Sequence, residues 1–94
     1  MEGGAVVNRI KFILGEDKHV KLLVRSPDNE PFAILSASYV LSKYGQVEAR
    51  GECDIDDHYL DMKLAPLNKA LYTLEVAYVV GDSTRKARLE VEVS

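Results

Sequence analysis

One cysteine, three prolines, no tryptophan and no long apolar run mark this chain of 94 residues. The lone thiol, Cys53, excludes an internal disulfide, so packing alone must hold the fold. That suits a reducing compartment, or a particle assembled in one. No stretch approaches the roughly 20 apolar residues that a membrane-spanning helix needs. The N-terminal segment MEGGAVVNRIKFILGED carries no apolar core followed by a small-residue cleavage site. The expectation is a protein made in the cytoplasm without a signal peptide. Catalytic signatures are missing as well: no G-x-G-x-x-G, P-loop, H-E-x-x-H or G-x-S-x-G. No enzymatic activity and no cofactor are expected. A net charge of −3 gives no basic surface for phosphate neutralisation, which argues against a nucleic-acid partner. Without tryptophan, and with only Tyr44 and Tyr59 at positions that read as exposed, carbohydrate binding is disfavoured.

What the chain does contain is alternation. At 47% hydrophobic and 29% charged it has the composition of a globular domain, and its length suits one domain over 1–94. Apolar and polar residues alternate with period two nearly end to end, the pattern of half-buried strands. Ile10, Phe12 and Leu14 oppose Arg9 and Lys11; Val20, Leu22 and Val24 oppose His19, Lys21, Leu23 and Arg25. Ala37, Tyr39 and Leu41 oppose Ser36, Ser38, Val40 and Ser42. QVEARGECDI reads as one strand with Val47, Ala49, Cys53 and Ile55 inward and Glu48, Arg50, Glu52 and Asp54 outward. Leu60, Met62 and Leu64 then oppose Tyr59, Asp61 and Lys63. Tyr72, Leu74, Val76 and Tyr78 oppose Thr73, Glu75, Ala77 and Val79, and Ala87, Leu89, Val91 and Val93 close the pattern. GEDK, SPDNEP, DDH and GDST supply the turns. Seven strands with turns about every 10 residues predict an all-β antiparallel sandwich. Leu67, Leu71 and Leu74 also fit a helical period, but Val76, Tyr78, Val79 and Val80 favour a pleated strand.

Seven strands in this length resemble an immunoglobulin-like β-sandwich. A narrower likeness rests on ILSASYVLSKYGQV and LYTLEVAYVVGDSTRKARLEVEV. Through Pro31, Leu35, Ala37, Tyr39, Leu41, Gly45, Tyr72, Leu74, Val76 and Val91 these resemble the small immunoglobulin-like domains of bacteriophage tail and baseplate proteins. That resemblance implies a structural, virion-associated module of a phage or prophage particle. The alternative is a bacterial immunoglobulin-like binding module that captures a peptide or protein, for instance by strand addition at an open edge.

Three features are candidates for function. Tyr72 opens the strand that corresponds to F in such a sandwich. It reads either as a corner residue whose hydroxyl returns to the backbone just upstream, or as an ordinary core tyrosine. Glu52, Asp54, Asp56, Asp57, His58 and Asp61 form an acidic run, but its spacing is not that of a calcium loop. It reads instead as a solvated hairpin that discourages edge pairing. Finally, strands C and F of a sandwich lie side by side. Their outward residues Ser38, Val40, Ser42, Ala77 and Val79 would form a flat, weakly charged patch. Glu48, Arg50, Glu52, Asp61 and Lys63 are expected on the other sheet. The patch is the expected interface with a protein partner or with a second copy of the chain.

Overall fold

A computed structural model describes residues 9–25 and 31–94. Among these residues eight strands form two sheets. β1 (Arg9–Phe12), β3 (Ile34–Lys43), β4 (Gln46–Glu52), β7 (Leu71–Val80) and β8 (Ser83–Val93) make the larger, in the order β1-β8-β7-β3-β4. β2 (Lys18–Leu23), β5 (Asp54–Asp56) and β6 (Tyr59–Leu64) make the smaller, in the order β2-β6-β5. The fold is an all-β sandwich, as the alternation predicts. The helical reading of 67–78 fails, because Leu71–Val80 is a ten-residue strand. The turn expected at SPDNEP lies largely outside the described residues.

The inward sets read from the sequence meet in one core. Phe12, Leu41, Leu60, Met62, Leu64, Tyr72, Leu74, Val76 and Val91 are all essentially removed from water. At about 25 cal/mol per Å² of apolar surface, each large side chain in that set contributes on the order of 1.5–3 kcal/mol. Two tight turns are set by backbone chemistry. The β3–β4 turn holds Tyr44 and Gly45 at φ 51° and 78°, the doubly left-handed pattern of a type I′ hairpin. The β7–β8 turn holds Gly81 at φ 61°, a conformation that costs glycine little.

Four expectations are corrected. QVEARGECDI is not one strand but two: β4 pairs with β3, the chain leaves that sheet at Cys53, and β5 pairs with β6. Cys53 marks the crossing, with its thiol buried and its N–H donating to Ala37 O at 3.0 Å. Val47 was expected inward but is 48% exposed. A bulge explains it: Leu41 pairs with Ala49 while Ser42 pairs with Val47, so Glu48 is the extra residue and the phase of alternation inverts. Ile55 and Leu14, also expected inward, are exposed as well, Ile55 on a three-residue edge strand and Leu14 past the end of β1. Last, β1 joins β8 in parallel, with Arg9 opposite Glu90 and Phe12 opposite Val93.

The crossing sets the chemistry of Cys53. Burial pushes its thiol up to about 11, with Asp54 and Asp61 adding in the same direction. At neutral pH the thiolate, the reactive form, is therefore scarce. A disulfide-exchange reagent at neutral pH should label native Cys53 at least about 100-fold more slowly than the urea-unfolded chain. Equal rates in the two states would show that the crossing is open.

Candidate functional site

The outer face of the larger sheet can be laid out row by row from the strand registers. Ser36 on β3 stands near Val79 on β7 and Thr84 on β8. The next row runs Glu52, Ser38, Ala77, Lys86 from β4 to β8. Then come Arg50, Val40, Glu75 and Arg88, followed by Val47, Ser42, Thr73 and Glu90, with Arg9 of β1 beside Glu90. Ser38, Val40, Ser42, Ala77 and Val79 thus occupy the two central strands of a single face. The short side chains at the upper end leave an open depression of about 320 Å³, lined by Ser36, Ser38, Ala77, Val79, Thr84 and Glu52 among others.

The surroundings of this patch differ from expectation. Arg50 and Glu52 flank it on β4 in the same sheet; they do not belong to the other sheet, because β4 pairs with β3. Glu75 of β7 lies within the patch between Thr73 and Ala77, and on the opposite flank Arg88 and Lys86 of β8 reach it at 2.8 Å and 3.6 Å. The Arg88 hydrogen bond is the main reason the Glu75 carboxyl sits below its usual range. Small uncharged residues therefore form a strip, interrupted on β7 by the paired Glu75, and charge frames it on both sides. The outer face of the smaller sheet is more polar. Lys21, Asp61 and Asp54 share a row there, and His19 Nδ1 lies 2.7 Å from Asp61 Oδ1.

The acidic run does not converge. Asp54 faces Asp61 across β5 and β6, and Asp57 sits in the turn at φ 55°. Among the described residues no three acidic, histidine or cysteine side chains come together to hold a metal. His58 instead makes structural contacts with Phe32 and Val24. Its ring stacks on Phe32 at 4.1 Å and lies 3.0 Å from Phe32 O, and its own carbonyl accepts the Val24 N–H.

Tyr72 takes part in a network the sequence shows only in part. Its ring is fully buried. Its hydroxyl accepts the Asn68 N–H at 3.1 Å, four residues upstream, and donates to Glu48 Oε1 at 2.6 Å. Glu48 also accepts the Leu67 N–H at 3.1 Å and the Asn68 side-chain amide at 3.2 Å. Glu48 reads from the sequence as an outward strand residue; the bulge frees its carboxylate to reach Tyr72 and pin the β6–β7 connection. No sequence signal marks that bulge.

No family model and no curated protein matches the chain. In three dimensions it is similar to an engineered protein solved by crystallography at 1.98 Å resolution, with TM-score 0.75 and 13% identity. That match covers 97% of this chain but 19% of the engineered one, so the chain spans about a fifth of that protein. It is also similar to the extracellular domain of mouse leukocyte-associated immunoglobulin-like receptor 1, in a crystal structure of a strand-swapped dimer. There the TM-score is 0.54 at 13% identity, over 96% of this chain and 91% of the receptor domain. The fold is immunoglobulin-like. In that frame β3, β7 and β8 stand where C, F and G do, β4 takes the place of C′, and β2, β6 and β5 those of B, E and D. The candidate face is the outer side of the C′-C-F-G sheet.

The Tyr72 network makes two expectations. Tyr72→Phe strands the Asn68 N–H and removes one partner of Glu48; urea denaturation should show a loss of about 1–3 kcal/mol. For Glu48, desolvation is the largest single influence and acts upward. The Tyr72 hydroxyl, the Leu67 N–H, the Asn68 amide and Lys43 together outweigh it, and the carboxyl lies below the ordinary 4.5. A depressed carboxyl adds stability that is complete above the unfolded pKa and is lost as pH falls through the folded one. Between about pH 5 and about pH 3, stability should fall more steeply for the parent than for Glu48→Gln, which cannot titrate. Parallel acid profiles would contradict the network.

Proposed function

We propose that this chain is a non-enzymatic immunoglobulin-like module that binds another protein through the outer face of its larger sheet. The observation that carries this is the strip of short side chains on β3 and β7, hollowed at one end and framed by Arg50 and Glu52 on one flank and Lys86 and Arg88 on the other. Apolar centres with charged rims are how protein-contact surfaces are built. The partner suited to it presents a compact apolar protrusion that enters the depression by Val79, flanked by groups of both charges. The domain of a mouse receptor shares the fold, which favours a binding role of this kind.

A place in a phage or prophage tail or baseplate is the more specific reading. It rests on the resemblance carried by β3 and by the β7–β8 hairpin, to which the two similar structures reported above add nothing specific to phage. Both readings need the same thing of the molecule: a rigid sandwich that presents a face. Self-association through that face is a further form of the same proposal.

A photo-crosslinking amino acid placed at Ser38, with one at Lys63 on the smaller sheet as comparison, tests the face in producing cells. The Ser38 probe should give a discrete protein adduct that Val79→Glu abolishes, while the Lys63 probe gives none. Equal labelling from both positions, or adducts indifferent to Val79→Glu, would remove the face from the proposal. Val79→Glu should leave the thermal midpoint within a few degrees, because surface substitutions away from special features usually change stability by no more than about 0.5 kcal/mol.

A further inference from the structure

We infer that the free edge of β4 is a self-pairing edge, through which two copies of the chain join their larger sheets into one. The pairing rests on the backbone edge and the Arg50 and Glu52 charges, not on the small side chains of the partner-binding face that those two residues border. β4 has β3 on one side and no strand on the other among the described residues. The Cys53 N–H donates to Ala37 O, and alternate residues of an antiparallel strand turn their N–H and C=O the same way. Ala49, Gly51 and Cys53 therefore address β3, and Arg50 and Glu52 turn their backbone groups to the open edge. A second β4, antiparallel and centred on Gly51, sets Arg50 of each copy opposite Glu52 of the other. These are the residues whose backbone groups are free, so each pair exchanges its main-chain hydrogen bonds. The side chains stand together on the outer face as two cross-strand pairs of opposite charge. Neither Arg50 nor Glu52 has an ion-pair partner among the described residues.

The other open edges do not match themselves. β1 carries Arg9 and Lys11 on one face, so a copy would meet like charge. β2 carries Lys18 and Lys21, the residue type that blunts edges. β5 would set Asp54 and Asp56 against the same acids. Among the open edges of the described residues, only β4 alternates charges of opposite sign at two-residue spacing on its outward side. Gly51 at the centre brings no side chain to the two-fold axis, and Tyr39 packs over it with ring atoms 3.1 Å from where a Cβ would stand. The Glu48 bulge and the exit at Cys53 bound the paired stretch, which makes the association short and weak.

Sedimentation equilibrium between about 10 µM and 1 mM reads a weak association of this kind directly. The parent's average mass should climb from 10.5 kDa towards twice that value. Arg50→Glu and Glu52→Arg should each remain monomeric over the whole range. The double variant Arg50→Glu with Glu52→Arg restores both pairs with the charges exchanged and should dimerise again within about threefold of the parent. Val79→Glu, on the separate candidate face, should dimerise like the parent. Circular dichroism of each variant checks that all remain folded. A parent that stays monomeric at the highest concentration, single variants that dimerise undiminished, or a double variant that stays monomeric would each overturn the inference.

Discussion

Everything in this molecule depends on one packing constraint: two sheets bury their inner faces against each other without a disulfide. Tyr72, Leu74 and Val76 of β7 and Leu60, Met62 and Leu64 of β6 lie in the same buried cluster. Strands of period two have only two faces, and in β1, β2, β3, β6, β7 and β8 one of them serves the core. What is left for other molecules is the outer faces, the edges and the turns. That restriction confines recognition to a few strand positions.

The same constraint separates what the sequence shows from what it hides. Alternation is a statement about faces, so the inward sets of β2, β6, β7 and β8, and of β3 from Ala37 onward, are legible residue by residue; Ile34 is buried out of phase because the β3–β7 register shifts between Ile34 and Ser36. Connectivity is not a statement about faces. QVEARGECDI keeps its alternation while the chain passes from one sheet to the other at Cys53, and nothing in the pattern records the crossing. Phase errors have a local origin. One extra residue at Glu48 turns Val47 outward and carries a carboxylate to the Tyr72 hydroxyl. Of the Tyr72 network the sequence shows the tyrosine alone, because its partners come from β4 and from a connection with no regular pattern. The candidate face was legible as an alternation of small side chains, but its charged frame was not, since that depended on which sheet β4 joins.

The larger sheet then carries two distinct kinds of surface. Its centre, over β3 and β7, is short and weakly charged, and suits a complementary protein surface. Its β4 margin presents backbone groups and alternating charge, and suits a strand. The two are adjacent on one outward side, so pairing at the margin would place two centres in one continuous sheet and give a multivalent partner two points of attachment. The smaller sheet offers less: three strands, an acidic hairpin, and His58 engaged with Phe32 and the Val24 N–H.

Carbene footprinting of the whole surface, in producing cells and on the purified chain, tests the claim that the larger sheet's outer face is the working surface. The account predicts that labelling in cells drops on Ser36–Ser42 and Thr73–Val79 and is unchanged on Lys18–Leu23 and Tyr59–Leu64. Protection confined to the smaller sheet, or none anywhere, would contradict it.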